Sequence, residues 1–563
     1  LDGPPGGGDG LRQGVALLLD ESIDGDALSE AVAAARRAVE LTPDSSDGAR
    51  DRHLALSRAL ARQAQAAEGD EQALADATDQ ARVVVDGTED DDPERATHLH
   101  HLAMLVAERF HRSDEPSALA EAIDLHRSAA AAAEGQSIPV APIHDHLALL
   151  LAALHARNDD PATLAESVAS ARAAVAASSP DDPERGGYLS NLANRLARQY
   201  ALDSENGDLL DEAVAVARQA VEATTRGSGE LAGRLNNLAN RLASLYARSQ
   251  DRDVLDEAVA VAREAVAVTP DGDPGLSSRL RNLANHLTRA YAATGERAVL
   301  TETVASFGRA ADVVGDDPDA IGFLDGITAK LDRLFVASLD RSVIDLAVDV
   351  GRRAIAGSGE PDAVLARRHS AQAARLAQAH GLSGQRDHAE EAVTAARAAV
   401  ELSDEDGPEH ADHLSTLANR LAALYKVDGD RETLADTVAV SRRAAERTAE
   451  DDDDLPSRLN NLANHLARLY GLVEERSLLD EAVATSRRAV HATPADSDER
   501  PSRLNNLANH LTRLYAVTGE REILDEAIDI TEEAIVVASK GNEAVPARLT
   551  TLASHLERLS ADA

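Results

Sequence analysis

Apolar residues recur along this chain at helical spacing, inside a longer and nearly fixed period. From Leu235 they stand at offsets 0, 3, 4, 7 and 11: Leu235, Leu238, Ala239, Leu242 and Tyr246. That is one stripe of an amphipathic helix. A second stripe runs through Ala258, Ala262, Ala265 and Val266, preceded by Leu255-Asp256-Glu257. Acidic residues in a first turn suit the helix dipole. Thr269-Pro270 ends the segment, because proline cannot continue a helix. Polar linkers rich in Asp, Gly and Pro follow, as at 270–275 and 179–187. The pattern predicts two antiparallel helices per unit, each pair leaving an apolar face that the next pair covers.

The unit returns along the chain. Leu-Asn-Asn-Leu-Ala-Asn stands at Leu235–Asn240, Leu459–Asn464 and Leu504–Asn509, with looser copies from Leu189, Leu280 and Leu414. With its first residue as offset 0, the equivalent positions read His53, Leu99, Leu147, Leu189, Leu235, Leu280, Leu324, His369, Leu414, Leu459, Leu504 and Leu549. The steps are 45 residues over the C-terminal half and scatter to 48 and 42 on either side of Leu147. A fixed period of this kind predicts an all-α solenoid, here of about twelve helix pairs. Five segments follow: a Gly/Pro linker at 1–10, divergent repeats at 11–188, regular repeats at 189–307, degenerate repeats at 308–413, and regular repeats with a single terminal helix at 414–563. That last helix, Pro546–Leu559, reads either as a cap or as a surface that docks onto a further domain or another copy.

The unit resembles the tetratricopeptide repeat (TPR). The large, large, small, large core of that family's first helix matches Leu235, Leu238, Ala239 and Leu242. Its second-helix positions match Ala258, Ala262 and Ala265, and its terminal proline matches Pro270. The period here is longer than the family's, and its bulky aromatic positions hold Leu or Ala. The phrase Gly207–Val214 is similar to long repeats found beside CHAT domains in bacterial signalling and defence proteins. The resemblance implies a right-handed α-solenoid whose first helices line a concave groove. A CHAT protease needs a Cys–His pair and this chain has no Cys, so any such domain would lie outside it.

Composition narrows the function. A net charge of −41 argues against broad nucleic-acid or anionic-membrane binding. The absence of Cys excludes disulfides and thiolate chemistry. No run of 18 apolar residues exists, so no membrane span is expected, and a cytoplasmic location is. The sequence begins at Leu1, which suggests a fragment. Lysine occurs only at 330, 426 and 540; arginine carries the remaining basic charge. A GC-rich genome and adaptation to high salt both accommodate that balance.

On a wheel of about 100° per residue, offsets 2, 5 and 9 fall opposite the apolar stripe. They hold Asn191 and Asn194; Asn237 and Asn240; Asn282 and Asn285; Asn461, Asn464 and Arg468; and Asn506, Asn509 and Arg513. Offsets −1 and 6 add Arg234, Arg241, Arg279, His286, Arg458, His465, Arg503 and His510 to the expected outer face. A carboxamide offers a donor and an acceptor, matching the N–H and C=O of a peptide backbone. The pattern resembles the asparagine ladders with which peptide-binding TPR proteins hold an extended chain. Structural bonding to neighbouring backbone is the alternative. The ladder breaks at Gly326, Ala329, Ala371 and Ala374.

Other chemistry is sparse. His98, His100, His101, His144 and His146 invite a metal, but His at i and i+2 point apart on a helix. No metal site, cofactor or catalytic residue is expected. Residues 3–10 lack the Lys of a phosphate loop, and the acidic runs at 89–92 and 450–454 lack EF-hand spacing. The expectation is a non-catalytic interaction scaffold or sensor array for a peptide or partner protein. The alternative is a structural solenoid that assembles end to end through its terminal repeats.

Overall fold

The computed structural model describes residues 25–537 apart from 44, 45, 47, 67–69, 137, 316–319 and 360–362, together with 550, 554 and 557. The linker at 1–10 and most of the terminal helix expected at Pro546–Leu559 lie outside the described residues.

Among the described residues there are 23 α-helices and no strand. They are α1 (Gly25–Glu40), α2 (Ala49–Ala66), α3 (Glu71–Asp86), α4 (Arg95–Ser113), α5 (Pro116–Ala132), α6 (Ala141–Asn158), α7 (Pro161–Ala177), α8 (Arg185–Leu202), α9 (Gly207–Glu222), α10 (Leu231–Ser249), α11 (Arg252–Ala267), α12 (Leu276–Thr294), α13 (Arg297–Val314), α14 (Ile321–Ser338), α15 (Arg341–Ala356), α16 (Ala363–Ser383), α17 (Arg386–Leu402), α18 (His410–Asp428), α19 (Arg431–Glu446), α20 (Leu455–Val473), α21 (Arg476–Ala492), α22 (Arg500–Thr518) and α23 (Arg521–Val537). Even numbers are the first helices of repeats and odd numbers the second. No described helix is long and apolar enough to cross a membrane.

The chain divides into two compact units, Leu1–Thr303 and Val304–Ala563. Inside each, helices pack in sequence order: first on second within a repeat, second on the first helix of the next. First helices of successive repeats also touch, as in α6 with α8, α8 with α10 and α20 with α22. This is the packing of an all-α solenoid. Leu235, Leu238, Ala239 and Leu242 are buried as the apolar stripe requires, and Leu255, Ala258, Ala262 and Ala265 meet them from α11. Tyr246 is only half-buried.

The turn between paired helices repeats with the period. A left-handed residue closes nine first helices at offset 15: Asp114, Asp159, Gln250, Gly295, Leu339, Gly384, Gly429, Glu474 and Gly519. Glycine takes this conformation without a Cβ penalty, and four of the nine positions use it. The cap also corrects the register of one repeat. Asp159 lies 15 residues after His144, so His144 rather than Leu147 is offset 0 there. The steps on either side then become 45 residues each. Leu147, Ala148, Leu151 and His155 take offsets 3, 4, 7 and 11, and all four are buried.

Successive second helices are joined by long side chains. In the first unit Arg36 meets Asp76, Arg82 meets Glu121, Arg127 meets Glu166, Arg172 meets Glu212, Arg218 meets Glu257 and Arg263 meets Glu302, at 2.6–2.8 Å. In the second, Arg352 meets Glu391, Arg397 Asp436, Arg442 Glu481 and Arg487 Glu526, at 2.6–3.3 Å. Within a repeat the acid stands six residues before the arginine, so a repeat that carries both accepts from the one before and donates to the one after; Gly308 and Leu346 interrupt the row.

Candidate functional site

The asparagines sort into two groups. Three of the five at offset 2, Asn191, Asn282 and Asn506, bond to the neighbouring repeat. Asn282 Nδ2 donates to Asn236 Oδ1 at 2.9 Å, and Asn506 Nδ2 to Asn460 Oδ1 at 2.9 Å. Asn191 Nδ2 donates to both oxygens of Asp145, at 3.0 and 3.1 Å. These rungs join offset 2 of one first helix to offset 1 of the preceding one. Asn194 Oδ1 accepts from Arg241 Nη2 at 2.9 Å, another link between repeats.

The second group keeps its hydrogen-bonding capacity. Among the described residues, the side chains of Asn237, Asn240, Asn285, Asn461, Asn464 and Asn509 have no hydrogen-bonded partner. Asn509 is exposed and the other five are half-buried. Arg468 and Arg513 lie exposed on the same helices, and Arg513 Nη1 reaches Ala467 O at 3.3 Å.

The flanking basic residues do not belong to this face. Arg234, Arg458 and Arg503 are buried. Each donates to a threonine ending the preceding second helix: Thr224, Thr448 at 2.5 Å, and Thr493 at 2.8 Å. Those threonines in turn donate to the carbonyl one turn earlier, so the arginine closes a helix end against the next repeat. Offset 6 is also interior. His465 Nδ1 lies 2.9 Å from Ser441 Oγ and His510 Nδ1 2.8 Å from Ser486 Oγ. Burial, helped by nearby Arg468 and Arg513, pushes both imidazoles down to about 4. Offset 6 lies beside the second helix of the previous repeat, which a wheel for an isolated helix does not include.

In the degenerate middle, ion pairs at other offsets link successive first helices. Arg368 Nη2 meets Asp325 at 2.7 Å and Arg375 Nη2 meets Asp332 at 2.8 Å, 43 residues apart in both cases.

One cluster escaped sequence reasoning. His100 of α4, His126 of α5 and His146 of α6 come together, with one ligand atom from each lying within 4.8 Å of the others. Ring centroids are 5.3–5.9 Å apart. His98, His101 and His144 are not part of it. His126 had not been singled out. The available signal was the repeat itself: the equivalent position holds Ala81, Ala171, Ala217, Ala262 and Ala396, elsewhere Phe307, Gly351, Ser441 and Ser486, and histidine only at 126.

No protein-family model and no curated protein matches the sequence. Among solved structures, the chain is similar to the crystal structure of BtubC (BKLC) from P. vanneervenii, at 20% identity over 51% of this chain and 91% of that one. The TM-score is 0.28, too loose a likeness to carry an argument about this chain.

Proposed function

We propose that the chain is a non-catalytic interaction scaffold or sensor array that holds an extended peptide, or an extended segment of a partner protein, along its first helices. The observation that carries this reading is the set of unpartnered carboxamides at offset 5: Asn240, Asn285, Asn464 and Asn509. Rungs at Asn191, Asn282 and Asn506 hold repeats together and Arg241 engages Asn194, while these four carboxamides stay free for a ligand. Packed helix axes stand about 8–10 Å apart, and an extended chain advances about 3.3–3.6 Å per residue. Successive carboxamides therefore fall near every third residue of a peptide. Such a contact reads backbone, with little demand on sequence. Arg468 and Arg513 add cations that favour carboxylate side chains.

The test is selection of peptides from a random library on the intact chain, followed by affinity measurement on a variant with all four offset-5 asparagines changed to Ala. Asn240 and Asn285 lie in the first unit and Asn464 and Asn509 in the second; each lost hydrogen bond is worth about 0.5–1.5 kcal/mol, so losing the pair in either unit should weaken binding there about thirtyfold. An unchanged affinity in that variant overturns the reading.

A further inference from the structure

We propose that His100, His126 and His146 form a three-imidazole site for one divalent transition-metal ion of the Zn²⁺ class, tying α4, α5 and α6 together. Three departures from the repeat converge there. His126 places an imidazole at a second-helix position that is a buried alanine in five other repeats, Ala81, Ala171, Ala217, Ala262 and Ala396, and Phe307, Gly351, Ser441 or Ser486 elsewhere in the row. His100 and His146 take offsets 1 and 2 of successive repeats, the pair of positions that Asn236 and Asn282, or Asn460 and Asn506, fill elsewhere. An amide–amide rung has become an imidazole pair, and a third imidazole replaces the methyl group beside it.

The ring orientations fit ligation. His126 Nδ1 donates to Ala122 O at 2.9 Å and His146 Nδ1 to Pro142 O at 2.8 Å. Both rings are thereby held in the tautomer whose Nε2 lone pair is free, the outer-shell arrangement typical of metal-bound histidine. His126 is 0% exposed, yet its Nε2 has no partner; nor has His100 Nδ1. Burial pushes the His126 imidazole down to about 3, which keeps it a neutral ligand at physiological pH. Buried polar atoms without partners are costly, and a cation among them supplies what they lack.

Zn–N bonds of about 2.0–2.1 Å in a tetrahedron separate ligand nitrogens by about 3.3 Å. The ligand atoms lie within 4.8 Å of one another, so a tetrahedral ion requires the rings to draw in by up to about 1.5 Å. Nitrogen-only ligation suits Zn²⁺ or Co²⁺ better than the oxygen-seeking Mg²⁺ or Ca²⁺. His100 is half-buried and gives the ion a way in, and the buried carboxylate of Asp145 beside His146 offsets part of its charge. Three protein ligands leave a fourth position for water or an incoming donor.

Chelator-stripped full-length chain should be titrated with Zn²⁺ by calorimetry and with Co²⁺ by visible absorption. We expect one strong equivalent, a tetrahedral Co²⁺ band and a higher melting temperature with metal. His126→Ala restores the residue of other repeats, and His100→Asn with His146→Asn restores a rung. Both variants should fold like the stripped protein and lose more than about 100-fold in affinity. Absence of a strong equivalent in the parent chain, or equal binding in both variants, overturns the site. Peptide affinity is read separately, so neither result bears on the proposed function.

Discussion

A Cβ added to Gly308 would stand 3.6 Å from Cδ1 of Leu346, an ordinary van der Waals distance across neighbouring second helices. These two residues occupy the registers that hold arginine and acid along the rest of the second-helix row. Both charged partners are replaced together there. Changing the arginine alone would leave an unanswered carboxylate, and changing the acid alone would set a guanidinium against nothing. The paired change removes both charges and leaves space for one methyl group against Leu346.

Gly308 lies inside α13 with ordinary negative φ, so its missing side chain only weakens the helix. Gly308→Ala should stabilise the protein by about 0.5–1 kcal/mol, since the added methyl meets Leu346 without a clash. Chemical denaturation measures this; a destabilised variant would show that the contact has no room.

Arg442 and Glu481 form a bidentate pair at 2.9 Å with both side chains more than a third exposed. Solvent screening limits such a pair to about 0.2–1 kcal/mol. A double-mutant cycle with Arg442→Ala and Glu481→Ala should return a coupling in that range, smaller at high salt. A coupling of zero would make the ladder a by-product of surface charge.

Asn506 and Asn509 should behave differently although they stand three residues apart. Asn506→Ala breaks the rung to Asn460 and should cost about 0.5–1.5 kcal/mol of stability. Asn509→Ala should leave melting unchanged and weaken peptide binding. Leu462→Ala, 4% exposed in the core, should cost about 2–5 kcal/mol. Melting curves and peptide titrations on the same three variants separate these roles.

His286, His465 and His510 are buried, and each is pushed from 6.5 down to about 4, first by burial and then by nearby arginines. The unfolded chain therefore takes up these protons before the folded one does. The stability is fully present above pH 6.5 and is lost as pH falls from there towards 4. Each ring contributes a slope of about 1.4 kcal/mol per pH unit within that window. Urea midpoints at pH 7.0, 5.5 and 4.5 should fall in order, and His510→Gln should flatten the fall. A midpoint constant down to pH 5 would contradict the burial of these rings.

The sequence by itself determined the helices, their pairing and most of the core. Apolar spacing sets direction about one helix axis, and Leu235, Leu238, Ala239 and Leu242 needed nothing more. It also placed Asn240, Asn285, Asn464 and Asn509 opposite that stripe. Tertiary structure decided which side chains meet across repeats. Asn236 and Asn460 had attracted no notice, yet they accept from Asn282 and Asn506. Arg234, Arg458 and Arg503 were expected outside and are buried, because the preceding repeat covers the flank that a single wheel leaves open. Leu147 drew the register of its repeat by being a leucine at nearly the right spacing; the αL cap at Asp159 shows that His144 holds the position. The histidine cluster draws one residue from each of three helices. Spacing along one helix could not assemble it, because the relative offset of packed helices is set by side-chain volumes summed over the whole interface.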